Sequence, residues 1–328
     1  MSKPLTEPAS LLPPLRIGYE SGAADALLAG PDVLAVIGFG AADVPDDPRT
    51  LRVGLRSLRE APFEVWRGIA PVRSGRHEDL RWSSDGEHMF FAIEVDEAAH
   101  GGIVGAAAHA YRMLTAFVGA SGTPHLLRLW NYLDAINEGD GDAERYRQFC
   151  DGRAQGMHSG AQTRYPAATA IGRQDDVRVL QVYGLAARTP GTAIENPRQV
   201  SAWRYPRQYG PTAPTFARGM RMQSEQLLIS GTAAVVGHAS RHEDDLDAQI
   251  GETLTNLDSL FQQASMPERQ LGTRSLLKVY VRDPADADAV EAALRRHAPD
   301  LAGLLLLAGD ICRRELLVEV DGVHHAGV

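Results

Sequence analysis

A carboxylate close to the end of the chain is a candidate for proton transfer. Glu319 lies in the segment DICRRELLVEVDG, residues 310–322, where aliphatic residues on both sides predict a β-strand. Side chains alternate along a strand, so Glu319 shares a face with Leu317 on an otherwise apolar element. Burial there would raise the pKa of the carboxyl and make it a proton donor near neutral pH. A glutamate on an edge strand, exposed to solvent or paired with an arginine, fits the same pattern.

Residues 203–218 form a second candidate site, because this segment is dense in prolines and aromatic residues. Prolines lack the backbone N–H and restrict the residues before them, so the segment predicts a loop. Loops between domains often bind small molecules. Two tyrosines and two arginines of this loop could do so: Tyr205, Arg207, Tyr209 and Arg218. A linker with packed tyrosines and solvated arginines fits the same residues.

Other reactive residues have weaker support. No local motif favours a thiolate at Cys312, and a small buried cysteine fits equally well. His238 and His242 have the spacing of two metal ligands on a helix, but the glycine before His238 weakens the helix assignment. Walker, GxSxG, HExxH and GxGxxG motifs are absent from the sequence. We therefore predict neither a cofactor nor a metal.

Composition narrows the class of protein. The chain has 328 residues, of which 44% are hydrophobic and 23% charged, as in globular proteins with several domains or a duplicated one. A net charge of −9 argues against a nucleic-acid partner, and two cysteines suit a reducing compartment. The start of the sequence lacks the features of a signal peptide. The longest strongly apolar stretch, residues 301–308, is far shorter than the roughly 20 residues that span a bilayer. We expect a cytoplasmic protein without a membrane segment.

The middle and last parts of the chain predict the same order of elements, β, α, β, α, β, β. In the last part these are a β-rich stretch at 226–236, a helix at 246–261, a strand at 276–281, a helix at 287–297 and strands at 304–308 and 315–320. In the middle they are 89–95, 104–118, 126–133, 145–154, 168–172 and 177–183. Similar spacing in both parts indicates a duplication.

The first 80 residues contain strand-like pieces at 33–38, 51–55 and 63–69, without a convincing helix. They fit either a partial third copy of the unit or a β-rich cap. We therefore divide the chain into a reduced N-terminal part (1–80), a central part (81–200) and a C-terminal part (201–328).

Five segments together resemble the chorismatase family, in the family's order and from about residue 80 to the end. They are RLWNYLDAIN (128–137), RYRQFCDGRAQGM (145–157), YPRQYGPTAPTFARG (205–219), ISGTAAVVGHAS (229–240) and DICRRELLVEVDG (310–322). The family is related to the YjgF/RidA-like superfamily, whose unit has the order of elements given above. The resemblance implies an α+β fold of YjgF/RidA-like (chorismate-mutase-like) units in a pseudo-threefold arrangement. The first unit would be reduced and the protein a monomer.

The resemblance also implies a reaction, the conversion of chorismate to 3-hydroxybenzoate and pyruvate. Glu319 matches the glutamate that protonates the methylene carbon of the enolpyruvyl ether. Gly231 and Cys312 match pocket residues of the members that form 3-hydroxybenzoate, where the cysteine would guide ring opening. The two carboxylates of chorismate need charged hydrogen bonds, preferably from arginine. We expect four residues to bind the substrate: Arg153, Tyr205, Arg218 and Lys278.

Three alternatives stay open. Some relatives release both 3- and 4-hydroxybenzoate. A hydrolysing branch of the family stops at 3,4-dihydroxycyclohexa-1,5-diene carboxylate. A binding protein or imine deaminase of the wider YjgF/RidA-like superfamily would release no pyruvate from chorismate and would be a homotrimer.

Overall fold

Three consecutive units, each built on a sheet with the same strand order, form the protein. The computed structural model describes residues 15–157, 165–301 and 303–325. In each unit the fourth strand lies between the first and the second, and the third pairs with the second in parallel. The order β, α, β, α, β, β predicted for the middle and last parts is confirmed.

The first unit is the reduced one. Its elements are β1 (Arg16–Glu20), α1 (Ala24–Leu28), β2 (Val33–Phe39), β3 (Thr50–Val53) and β4 (Phe63–Arg67), in the sheet order β1-β4-β2-β3. Residues 40–49 form a loop where the other units have a second helix. Strand β1 and the five-residue α1 were not predicted, whereas the three predicted strands are present.

The central unit has the longest strands. It contains β5 (Arg73–His77), β6 (Leu80–Ser84), β7 (His88–Asp96), α2 (Ile103–Ala120), β8 (His125–Asp134), α3 (Arg145–Met157), β9 (Ala167–Arg173) and β10 (Val179–Ala187). Its strands lie in the order β5-β6-β7-β10-β8-β9. The hairpin β5-β6 thus joins this sheet, although residues 73–80 precede the predicted boundary.

The C-terminal unit completes the fold. It contains β11 (Thr192–Ile194), β12 (Gly219–Arg221), β13 (Leu227–Thr232), β14 (Val235–Val236), β15 (Ala239–Ser240), α4 (Leu246–Gln263), β16 (Ser275–Val281), α5 (Ala287–His297), β17 (Gly303–Ala308), β18 (Asp310–Ile311) and β19 (Val318–His324). The sheet order is β11-β12-β13-β19-β16-β17, while β18 crosses over to pair with β9. Residues 203–218 contain only short 3-10 turns, as predicted for this loop.

The helices cover the outer faces of the sheets. Helix α4 begins after Asp245, whose carboxylate accepts a hydrogen bond from the backbone N–H of Ala248 at 3.0 Å. Helix α2 is long and apolar enough to cross a membrane by length and composition alone. It packs instead on the central sheet, with Ala107, Tyr111 and Leu114 buried in the core. Its apolar residues therefore serve the interior of the protein.

The inner faces of the three sheets meet in one aromatic core. Trp130 on β8 stacks on Tyr183 of β10, with ring centroids 4.7 Å apart. Trp66 of the first sheet lies 5.7 Å from Trp130, and Tyr132 of the central sheet meets Tyr280 of the last, their hydroxyl oxygens 2.9 Å apart. Because all three units contribute to this core, the chain is held together around a common centre.

Candidate active site

A cavity of about 510 Å³ lies between the central and the C-terminal units. Helix α3 and strand β9 form one wall, and β13, β19 and residues from the 203–218 loop form the other. Six of the seven predicted site residues line it: Arg153, Tyr205, Arg218, Gly231, Cys312 and Glu319. The fold thus brings together residues from four separate segments of the sequence.

Glu319 lies on the central strand β19, between β13 and β16, and is only 5% exposed. This excludes the alternative of an edge-strand glutamate in solvent. Burial and, next, the negative charge of Asp321 raise the pKa of the carboxyl to about 8. Three cations lower it: Arg128, Arg218 and Arg313. The Glu319 carboxyl is therefore mostly protonated at neutral pH, as a proton donor requires.

Gly231 provides the space that the Glu319 carboxyl occupies. A Cβ atom built on Gly231 would lie 2.0 Å from Oε1 of Glu319 and 2.9 Å from its Cδ. The pairing of β13 with β19 shifts register between Ile229 and Thr232, next to this contact. A residue with a side chain at position 231 would have to displace the carboxyl.

Two buried arginines contribute positive charge to the cavity. Arg153 donates from Nη2 to the carbonyl oxygen of Thr215 at 2.9 Å. Arg218 donates from Nη2 to the hydroxyl of Tyr205 at 2.6 Å and to the carbonyl oxygen of Val200 at 2.9 Å. The Nε–H group of each arginine is buried without a hydrogen-bond partner among the described residues. Both arginines line the cavity, so their guanidinium groups are suited to an anionic ligand there.

Arg313 is a cavity residue that the sequence analysis missed. Its guanidinium carbon lies 4.2 Å from the ring centroid of Tyr209 and 5.2 Å from that of Tyr205. Its Nη1 donates to the carbonyl oxygen of His238 at 2.9 Å. One feature of the sequence could have indicated its role: Arg313 directly follows Cys312 in the segment 310–322, which contains two predicted site residues. Arg313 links the 203–218 loop to the segment that precedes β19.

Neither cysteine at the cavity is a thiolate. Burial raises the pKa of Cys150 to about 12, and burial together with the nearby Glu319 raises the pKa of Cys312 well above its ordinary value. Cys312 therefore presents a neutral thiol to the cavity, next to the acid, and is not an activated nucleophile.

Lys278 does not line the cavity, which corrects the prediction that it contacts the substrate. It lies on β16 and points into the shared core. Its Nζ donates to Oε2 of Glu64 and to the hydroxyl of Tyr183, both at 2.9 Å, and lies 4.0 Å from Oδ1 of Asp321. The sequence does not indicate this ion pair, because Lys278 has apolar neighbours and Glu64 lies more than 200 residues away.

The structure gives no metal role to the histidine pair of the sequence analysis. His238 and His242 flank the short strand β15 and are not on a helix. In the described part of the chain, one group has the spacing of metal ligands: Glu268, His324 and His325. Both ring nitrogens of His324 are already hydrogen-bonded, to Ser275 Oγ at 2.8 Å and to the carbonyl oxygen of Glu268 at 2.7 Å. This group therefore fits a structural role better than a metal site.

The chain is 34% identical over 291 residues to the 3-hydroxybenzoate synthase of Streptomyces hygroscopicus, an alignment that covers 83% of this chain and 84% of that protein. The chain belongs to the chorismatase family. A chorismatase of Streptomyces rapamycinicus is 32% identical, with 84% of this chain and 86% of that one covered. The model of the N-terminal part of the FkbO/Hyg5-like chorismatases matches residues 64–186.

A solved chorismatase has the same fold. The crystal structure of a chorismatase at 1.08 Å resolution superimposes with a TM-score of 0.84 at 30% identity, covering 94% of this chain and 99% of that one. The predicted family, chorismatase, and the predicted α+β fold class are confirmed, and the three units share one strand order. As a member of this family the protein is an enzyme.

Proposed function

We propose that this chorismatase converts chorismate to 3-hydroxybenzoate and pyruvate, with Glu319 as the proton donor. One observation carries the proposal: a buried carboxyl with a pKa of about 8 borders a cavity lined by the guanidinium groups of Arg153 and Arg218. The name of the 34% identical relative, 3-hydroxybenzoate synthase, supports this product over the alternatives.

Binding of the substrate keeps Glu319 protonated. Chorismate carries two carboxylates, and the guanidinium groups of Arg153 and Arg218, which line the cavity, supply donors for them. Once those arginines are neutralised by the substrate, their influence on Glu319 is weakened. The negative charge brought by chorismate then favours the protonated form of Glu319 further.

Proton transfer starts the reaction. Glu319 donates its proton to the methylene carbon of the enolpyruvyl ether, which leaves an oxocarbenium ion. The bond between the ring and the ether oxygen breaks, and its electron pair completes the carbonyl group of pyruvate. General acid catalysis of this kind contributes about 10²–10⁴-fold to the rate.

Aromatisation follows within the ring. The neighbouring ring hydroxyl attacks the carbon that pyruvate leaves and returns its proton to the Glu319 carboxylate. One C–O bond of the resulting arene-oxide-like species then breaks, its oxygen takes up a proton and the ring carbon that keeps the oxygen loses one, which gives the phenol. We assign the guidance of this opening to the neutral thiol of Cys312, which lines the cavity with Glu319.

Incubation with chorismate, followed by chromatography of the products, tests the proposal. We expect 3-hydroxybenzoate and pyruvate in equal amounts from the wild type, and loss of both from Glu319→Gln. The matched control is Glu60→Gln, at an exposed position remote from the cavity, which should keep the wild-type rate. Diene diol as the product would favour the hydrolysing branch, and pyruvate release by Glu319→Gln at the wild-type rate would refute the role of Glu319.

We also propose that the enzyme works as a monomer, because one chain already supplies three units around a common core. Size-exclusion chromatography with light scattering measures this. A homotrimer that releases no pyruvate would instead support a binding protein or an imine deaminase. Formation of 4-hydroxybenzoate beside the 3-isomer would show the bifunctional variant of the proposed reaction.

A further inference from the structure

Asp321 lies on the same face of β19 as Glu319, two residues further along the strand. Residues i and i+2 of a strand are about 6–7 Å apart along its axis and point to the same side. Glu319 pairs with Tyr280 on β16, and Asp321 with Lys278. Asp321 is fully buried in the polar centre between the units and does not line the cavity.

Hydrogen bonds from three strands hold the carboxylate of Asp321 in place. Its Oδ2 accepts from Nε1 of Trp130 at 3.0 Å, from the hydroxyl of Tyr280 at 2.8 Å and from Oγ1 of Thr169 at 2.8 Å. Nη2 of Arg128 lies 3.2 Å from the same oxygen. Oδ1 accepts no hydrogen bond from the described residues, and the ammonium group of Lys278 lies 4.0 Å away.

The charges of this polar centre balance without Glu319. Asp321 and Glu64 are the anions, and Arg128 and Lys278 are the cations that contact them. Ionised Glu319 would add a third anion beside this balanced set. Titratable groups face Glu319 from other segments as well, three of them cations and two of them neutral: Arg128, Arg218, Arg313, Cys312 and Tyr146.

Thr169 connects the polar centre to the cavity. Its hydroxyl accepts from Nη2 of Arg128 at 2.6 Å and donates to Asp321, while its side chain lines the cavity. Thr169 Oγ1 lies 3.4 Å from the Cβ position of Gly231, the same position that lies 2.0 Å from Oε1 of Glu319. A short chain of contacts therefore separates the two carboxyl groups.

We propose, on the basis of the function proposed above, that Asp321 is a positioning residue whose fixed negative charge keeps the proton on Glu319 until the substrate takes it. When chorismate neutralises the arginines at the cavity, Asp321 is the fixed anion that remains beside the acid. Asp321 touches neither the substrate nor the reacting atoms in this proposal, and it acts through Glu319.

The pH profile of kcat/KM for pyruvate release, which reports the free enzyme, tests this role. In the wild type, activity falls as the pH rises through the pKa of Glu319, about 8. In Asp321→Asn the fall should move by about one pH unit or more to lower pH, because a neighbouring anion has been removed, while KM changes little. The matched control is Glu64→Gln, which removes a carboxylate from the same polar centre but not from β19. Its fall in activity should stay at the wild-type pH.

Two further measurements keep the test decisive. If Asp321→Asn does not fold, the double variant Lys278→Met/Asp321→Asn replaces it, because it removes one charge of each sign. The pH at which its activity falls is then compared with that of the wild type. Asp321→Glu, which restores the charge, should recover the wild-type profile. An unchanged profile in the neutral variants, with Glu319→Gln inactive, overturns the inference on Asp321 alone. An active Glu319→Gln overturns the proposed function as well.

Discussion

Gly231 and Glu319 are so close that only a glycine leaves the carboxyl where it is. The ideal Cβ position on Gly231 is 2.0 Å from Oε1 of Glu319, well inside the distance at which real atoms meet. The backbone of Glu319 is itself held in place, because β19 lies between β13 and β16 and Glu319 pairs with Tyr280 of β16. The size of residue 231 therefore sets the position of the proton donor.

Gly231→Ala should lower kcat by about two orders of magnitude, the lower end of the 10²–10⁴-fold that a well-placed general acid contributes. The added methyl group forces the carboxyl away from its present position, so a change in the ratio of products is expected as well. Steady-state kinetics and chromatography measure both effects. The control is Gly251→Ala on the exposed side of α4, where a Cβ meets nothing within 4 Å. That variant should keep full activity, and unchanged kinetics in Gly231→Ala would contradict the steric argument.

Glu319→Gln should make the protein more stable than the wild type above neutral pH. The folded state raises the pKa of Glu319 from 4.5 to about 8, so between these values the native protein holds a proton that the unfolded chain releases. Wild-type stability therefore falls as the pH rises through this window, by about 1.4 kcal/mol for each pKa unit. Glutamine removes this dependence. Urea unfolding below pH 4.5 and above pH 8 measures the free energy of unfolding of both proteins. If the difference between them does not widen as the pH rises, Glu319 is not a buried acid.

Cys312→Ala should change the ratio of products more than the rate of pyruvate release. Its thiol is neutral, because burial and the neighbouring Glu319 raise its pKa, so it takes no part as a nucleophile. Iodoacetamide should accordingly modify Cys312 slowly at neutral pH. Product chromatography of Cys312→Ala and Cys312→Ser measures its influence on ring opening. A wild-type product ratio in both variants would rule out a steering role.

The fold was largely predictable from the sequence, because apolar periodicity marks elements that bury one face. The helices α2 and α4 and the strands β8 and β16 follow this rule. Strand β19 was predicted at 315–320 but runs over Val318–His324. Its second half carries Asp321, Gly322 and His324, buried polar or small residues whose partners come from distant strands. Apolar periodicity cannot detect a strand of this kind.

Site residues were predictable where a motif or a family resemblance marked them. They were not predictable where contacts with distant parts of the chain determine the role of a residue. Arg153, Arg218 and Glu319 line the cavity as expected. Lys278 resembled them in type, yet its strand directs it towards Glu64 in the core. Asp321 went unnoticed for the same reason, since its importance comes from the neighbours that other units supply.

Lys278→Met should destabilise the protein without impairing substrate binding. The change leaves Glu64 buried without its cation, and breaking a buried pair costs about 3–5 kcal/mol. KM for chorismate should stay near the wild-type value, because Lys278 lies outside the cavity. Urea unfolding and steady-state kinetics measure the two quantities. Lys278→Met/Glu64→Gln, which removes both charges, should recover part of the stability, and a raised KM in a fully stable Lys278→Met would restore the original prediction.

Glu319 has a counterpart in the central unit. Gln181 on β10 pairs with Tyr132 on β8, as Glu319 on β19 pairs with Tyr280 on β16, and the two tyrosine hydroxyls are hydrogen-bonded to each other. Gln181 borders a second cleft, of about 830 Å³, between the first and central units. Repetition of the unit has thus produced two related clefts. Gln181 places an amide in the cleft between the first and central units, where Glu319 places an acid in the cleft between the central and C-terminal units.

Gln181→Glu should destabilise the protein and leave pyruvate release unchanged. Both polar atoms of the Gln181 amide are hydrogen-bonded. Nε2 donates to Oε1 of Glu94 at 2.8 Å and to the carbonyl oxygen of Arg52 at 2.9 Å. Oε1 accepts from the backbone N–H of Gly54 at 3.1 Å. A carboxylate would face two acceptors and lose both donated bonds, at a cost of about 1–3 kcal/mol or more. Glu319→Gln, in contrast, should be more stable than the wild type above neutral pH. The two variants together test whether a buried acid is tolerated only at the position where catalysis uses it. Urea unfolding of both proteins decides, and a Gln181→Glu variant as stable as the wild type would show that this position accepts an acid.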